Sequence, residues 1–92
     1  MGNKEKFKLI QGDFSTEEAK TMLYDLITSK IQFHNREAFS IQVRTNGDTS
    51  HSIKRVEELK VTQERIEKMI DYAIENDFKL EINADIEISF IK

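Results

Sequence analysis

The segment FKLEINADIEISF at positions 78–90 alternates apolar and polar residues without an exception. In an extended chain its apolar members face one way and its polar members the other, which is typical of a half-buried strand. Thirteen residues exceed the usual strand length of about 5–6. The prediction is one long strand at about 78–91, and a hairpin with Asn83-Ala84-Asp85 as its loop stays open as an alternative.

A second strand is predicted near the start of the chain, at about 6–11. Phe7 and Leu9 alternate there with Lys6 and Lys8, so that one face is apolar and the other basic. Gly12-Asp13 is a typical turn sequence and is expected to end this strand.

Two long helices are predicted between these strands. The sequence FSTEEA contains a capping box, in which Ser15 and Glu18 satisfy each other's backbone amides at a helix start. The first helix is expected to span about 15–45 and to end at TNGD, with Gly47 as its left-handed cap. Its apolar residues recur at helical spacing: Ala19, Met22, Leu23, Leu26, Ile27, Phe33, Ala38 and Ile41.

The second helix is expected at about 50–76, with Thr49, Ser50 and Ser52 as plausible caps. Its stripe has the 3-4-3-4-3 spacing of a coiled-coil seam, and Gln63 is its one polar member. The stripe residues are Val56, Leu59, Gln63, Ile66, Ile70 and Ala73.

These segments predict a single α+β domain over residues 1–92 with the order β-α-α-β. A long antiparallel helical hairpin would pack on a small antiparallel sheet, and dimerisation would complete the fold. A chain this short has a small core, and without cysteines it cannot form disulfides. A long isoleucine-rich edge strand also tends to pair with a strand of another chain. Two copies could join strands into a four-stranded sheet or hairpins into a four-helix bundle; a monomer with its sheet covered by its own helices is the alternative.

The sequence SKIQFHNREAF at positions 29–39 holds the candidate site. Lys30, His34 and Glu37 lie four and three residues apart, on one face of the first helix and within its apolar stripe. A structural polar layer could form, such as one between His34 and Gln63 of the second helix. Alternatively, Lys30, His34, Glu37 and Gln63 could line a ligand-binding or enzymatic pocket. His-x-x-Glu supplies only two metal ligands, and metal sites usually need three or four. We therefore predict no metal site and assign no catalytic residue.

Other function classes receive less support. The net charge of −3 argues against a nucleic-acid binder, which usually has a net basic surface. A weaker alternative is nucleic-acid contact through the tip between the helices, whose basic residues are Arg36, Arg44, His51, Lys54 and Arg55. The three glycines are too far apart for a phosphate loop, and no cofactor is expected.

No apolar run is long enough to span a membrane, so a cytoplasmic protein is expected. The sequence thus predicts a small non-enzymatic interaction or assembly module that forms a homodimer, with a further protein partner possible.

Overall fold

The computed structural model describes residues 3–92 and has the order β-α-α-β. Its elements are β1 (Lys4–Phe14), α1 (Thr16–Thr45), α2 (Ser50–Glu75) and β2 (Leu80–Ser89). The two strands pair antiparallel in a two-stranded ribbon. The predicted α+β class and element order are confirmed, and β2 is one continuous strand rather than a hairpin.

The first strand differs from its prediction in two respects. It continues through Gly12 to Phe14, so the expected turn at Gly12-Asp13 is wrong. Gly12 has φ 153°, a backbone conformation that glycine adopts without steric cost, and the strand passes through it. A β-bulge also lies between Lys8 and Ile10. It leaves Leu9 out of the pairing and exposed, and Ile10 is buried in its place.

The bulge keeps apolar side chains together on one face of the ribbon. Directly opposite residues share a face, and the pairing sets Phe7 against Ile86 and Phe14 against Leu80. We call this side the apolar face, and its residues are Phe7, Ile10, Phe14, Leu80, Ile82, Ala84, Ile86 and Ile88. The opposite side, here called the charged face, carries Lys4, Lys6, Lys8, Asp13, Glu81, Asp85 and Glu87. Two ion pairs cross it, Lys4–Glu87 at 3.1 Å and Lys6–Asp85 at 3.5 Å.

The first helix begins at the predicted capping box. The Ser15 hydroxyl accepts a hydrogen bond from the Glu18 amide, and the Ser15 amide donates to the Glu18 carboxylate, both at 3.1 Å. The Ser15 amide, and after it the Ser15 side chain, hold the pKa of Glu18 below its ordinary value. The left-handed residue at the helix end is Asn46, with φ 52°, and not Gly47 as expected. Asparagine is one of the few residues that adopt this conformation readily.

The capping box gives a first testable prediction. Replacing Ser15 by alanine should lower the free energy of unfolding by about 0.5–2 kcal/mol, because an amide of the first turn loses its acceptor. Urea unfolding followed by circular dichroism measures the change. Thr21→Ala, at an exposed position inside α1, is the control. An equal loss of stability in both variants would contradict a special role for Ser15.

The buried core lies mainly between the two helices and is small. Val56, Leu59, Ile70 and Ala73 of α2 are buried, whereas α1 contributes only Ala19 to the buried set. The buried apolar residues of α2 all belong to its predicted stripe, which confirms that this stripe is the packing face of the helix.

The molecule is a thin slab. Its principal extents are 51 × 37 × 15 Å. The radius of gyration is 16.7 Å, against about 12 Å expected for a compact chain of this length. The helices make few contacts with the ribbon. The Phe7 end of the apolar face remains uncovered, whereas toward the other end Ile10 is buried and Leu80, Ile82 and Ala84 are half-buried.

Candidate functional site

The candidate polar residues meet across the helical hairpin, near its tip. His34 and Glu37 lie one turn apart on α1, and the His34 Nδ1 atom is 3.4 Å from Glu37 Oε1. Ser52 lies in the first turn of α2 and donates a hydrogen bond of 2.8 Å from its hydroxyl to the same Glu37 oxygen. Ser52 is buried, and the His34 side chain is 12% exposed. We call these three residues the polar cluster.

The hydrogen bonds of the cluster favour the charged form of Glu37. The Ser52 hydroxyl, and after it the His34 ring, hold the pKa of Glu37 below its ordinary value, because donors stabilise a carboxylate. The other ring nitrogen, His34 Nε2, is buried and has no hydrogen-bond partner within the described residues. A buried polar atom without a partner costs about 1–3 kcal/mol.

The geometry of the cluster fits a hydrogen-bonded link between the two helices better than a catalytic site. A nucleophilic serine needs a base within hydrogen-bond reach of its hydroxyl, but the Ser52 hydroxyl points to a carboxylate that already accepts from His34. Within residues 3–92 no group of three or more potential ligand residues could hold a metal ion. The direct effect of the cluster is a hydrogen bond that joins α1 to α2.

Two of the candidate residues lie outside this cluster. The Lys30 ammonium is 5.5 Å from the centre of the Phe33 ring, a cation–π distance, and it forms no ion pair with Glu37. Gln63 is half-buried, as its place in the stripe predicts, but it follows Ser52 by roughly three helical turns, about 16 Å along the axis. No hydrogen bond among the described residues joins it to His34.

The residue that sequence reasoning misses is Ser52, for which the sequence predicts only a helix-capping role. In the structure it lies inside α2 and faces α1. Its spacing gave a usable signal, because Ser52 precedes Val56 by four residues and so extends the seam by one turn. The combination of a seam position and a hydroxyl group would have indicated a polar partner on α1.

Replacing Ser52 by alanine tests the cluster. The pKa of Glu37 should rise toward its ordinary value, because the strongest donor to its carboxylate is lost. A carbon-detected NMR titration of the Glu37 carboxyl measures this. Ser50→Ala is the matched control, since the hydroxyl of Ser50 makes no bond to Glu37. Equal pKa values in the two variants would contradict the assignment.

The cluster also predicts a pH dependence of stability. The folded-state pKa of Glu37 is lower than that of an unfolded glutamate, about 4.3. The stabilisation is therefore fully present at pH above that unfolded value and is lost as the pH falls through the folded-state pKa. The Ser52→Ala variant should accordingly lose less stability between pH 5 and pH 3 than the unmodified protein.

The apolar face continues onto the helices at the Leu80 end of the ribbon. A hollow of about 380 Å³ lies there between α2 and β2; we call it the proximal hollow. Tyr72 and Phe78 stack in it with ring centres 6.2 Å apart. Its lining is apolar except for two lysines and consists of Lys68, Met69, Tyr72, Ala73, Phe78, Lys79 and Leu80.

A second hollow lies at the opposite end of the ribbon, and we call it the distal hollow. It measures about 230 Å³ and is lined by Lys4, Glu5, Phe7, Ile88 and Phe90. The strand ladder extends one bond beyond β2 here, since the Phe90 amide donates to the Asn3 carbonyl. Phe90 is 80% and Ile91 92% exposed.

The basic tip carries one internal ion pair, between Arg55 and Glu58 at 3.3 Å. Its other basic side chains, Arg36, Arg44, His51 and Lys54, are exposed.

None of the helices within residues 3–92 combines the length and apolar character that a bilayer crossing requires. No family model, curated protein or solved structure matches this chain.

Proposed function

We propose that this chain is a small, non-enzymatic interaction and assembly module that acts as a homodimer. The observation that carries the proposal is the uncovered apolar face. Phe7, Ile86 and Ile88 are each between two-fifths and about half exposed, although they form one continuous side of the ribbon. Contiguous apolar surface of this kind marks interaction sites in soluble proteins.

The total accessible surface area of the chain supports a second copy as the partner that covers the apolar face. The accessible surface is 7833 Å², whereas a compact monomer of 10.8 kDa should expose about 5,500 Å². The excess is therefore roughly 2,300 Å² per chain. Obligate homodimers bury about 2,000–5,000 Å² in total, or half of that on each copy. The excess surface thus falls within the range that such an interface removes.

The polar cluster fits this function as a structural element. Hydrogen bonds between Ser52, Glu37 and His34 join the two helices near the hairpin tip. A buried polar contact can specify one register of a helical pair. A hairpin with a fixed register in turn keeps the proximal hollow at a constant position relative to the ribbon.

Sedimentation equilibrium of the unmodified protein tests the proposal. We expect a mass about twice 10.8 kDa across the micromolar range. A single species of 10.8 kDa at high micromolar concentration would refute the dimer.

One observation favours a second candidate function, a small-ligand or enzymatic pocket at Lys30, His34 and Glu37. The buried Nε2 atom of His34 has no partner in the described chain. A hollow of about 490 Å³ includes Glu37, but neither Lys30 nor His34, in its lining. NMR titration of the His34 ring with phosphate or acetate tests this function. Unchanged ring resonances would leave His34 with the structural role only.

A further inference from the structure

We propose that the two copies pack apolar face against apolar face in opposite directions, so that Phe90 and Ile91 of each copy enter the proximal hollow of the other. This arrangement rests on the proposed homodimer and specifies which surfaces form it. It differs from both a four-stranded sheet joined at its edges and a four-helix bundle.

The strand edges are poorly suited to two-fold pairing. The polar positions of β2 carry carboxylates at Glu81, Asp85 and Glu87, whereas the basic positions of β1 are Lys4, Lys6 and Lys8. A two-fold axis pairs each strand with its own copy, which brings carboxylates near carboxylates or lysines near lysines. Like charges opposite each other destabilise a sheet. The apolar face has no such conflict along most of its length.

Phe90 and Ile91 cannot reach the proximal hollow of their own chain. The hollow lies at the Leu80 end of β2, and Phe90 follows the other end. Ten residues of extended strand separate these ends by about 30 Å. Phe90 is also held at the far end by its hydrogen bond to Asn3. A second copy related by a two-fold axis through the middle of β2 brings its own Phe90 to this hollow.

The unpaired charges around the two hollows are complementary in this arrangement, since Lys4 of the distal hollow already pairs with Glu87. Glu5 lies on the apolar face opposite Ile88 and lines the distal hollow. Lys68 and Lys79 line the proximal hollow. Within residues 3–92 none of these three side chains forms an ion pair inside the chain. Packing in opposite directions places Glu5 of one copy beside the two lysines of the other, at both ends of the interface.

Crosslinking of mixed cysteine variants tests the arrangement directly, because the natural chain has no cysteine. Met69→Cys and Ile91→Cys proteins are mixed and treated with a short bismaleimide. We expect a covalent heterodimer as the main product. In the control, the Glu81→Cys protein replaces the Met69→Cys protein. Glu81 is close to the proximal hollow in sequence but belongs to the charged face. The yield of crosslinked heterodimer between Glu81→Cys and Ile91→Cys should therefore be low.

A charge exchange provides a second test that does not depend on crosslinking. Glu5→Lys and Lys68→Glu should each raise the dissociation constant roughly threefold to tenfold, since two exposed ion pairs are lost per dimer. The double variant should recover most of this loss because the pairs form again with reversed sign. Glu57→Lys, on the exposed surface of α2, is the control and should leave the constant unchanged.

The outcomes separate this inference from the proposed function. A dimer in sedimentation that crosslinks through Glu81→Cys as well as through Met69→Cys, or through neither, would overturn the arrangement and leave the homodimer standing. Independent rather than compensating effects of Glu5→Lys and Lys68→Glu would also overturn it. A monomer in sedimentation would remove both proposals together.

Discussion

The Ile86→Asp variant should be a monomer at concentrations where the unmodified protein is a dimer. Ile86 lies opposite Phe7 near the middle of the apolar face. Each copy would lose the burial of one isoleucine side chain, worth about 1.5–3 kcal/mol, and would have to desolvate a carboxylate. Because the two-fold axis doubles the effect, we expect the dissociation constant to rise by about a thousandfold or more.

Two comparisons keep this prediction sharp. Asn83→Asp introduces the same carboxylate on the opposite side of β2 and should leave the dimer intact. Circular dichroism should show that both variants retain their helices. Dimeric Ile86→Asp with unchanged affinity would mean that the apolar face is not the interface.

The second large effect is expected in the helical core. Ile70 is 3% exposed and is among the few large side chains buried between the helices. Ile70→Ala should lower the free energy of unfolding by about 2–5 kcal/mol, because it removes buried methyl groups and leaves a cavity. Small domains of this kind have total stabilities of about 5–15 kcal/mol, so the variant should lose a large fraction of its stability and unfold at a clearly lower urea concentration.

Ile53→Ala is the matched control for this variant. It makes the same chemical change on the same helix at a residue that is 51% exposed, and its effect should be at most a small fraction of that at Ile70. Urea unfolding at one fixed protein concentration measures both, since dimer stability depends on concentration. Equal losses at the two sites would contradict the assignment of the core to the predicted seam.

The sequence predicts the element order well because each element has its own local signal. The capping box at Ser15 and Glu18 marks a helix start, the seam of α2 marks its packing face, and the alternation after Phe78 marks a strand. These signals depend on periodicity and on hydrogen bonds between near neighbours. They therefore do not require knowledge of the tertiary structure.

The details of the first strand depend on its pairing with β2 and could not be predicted in the same way. Nothing near Leu9 signals a bulge, because the extra residue is defined by the register with the other strand. Gly12 is compatible with a turn or with an irregular strand, and β2 is long enough to pair beyond it. At the end of α1, Asn46 and Gly47 are both suited to the left-handed position, so the sequence alone does not choose between them.

The candidate site was predicted in part for a similar reason. The contact between His34 and Glu37 follows from their spacing of three residues on one helix. The contact between Glu37 and Ser52 joins two helices, and it depends on the length of the connection between them. That connection sets Ser52, rather than Gln63, at the level of Glu37 on the hairpin.

Isotope-filtered NOE spectroscopy on a mixture of labelled and unlabelled protein tests the central claim most directly, because it detects only contacts between different copies. The arrangement predicts cross-peaks from Ile88 and Ile91 of one copy to Tyr72 and Leu80 of the other. Cross-peaks that instead connect residues of the charged face, or an absence of cross-peaks between copies, would contradict an apolar face covered by a second copy of this chain.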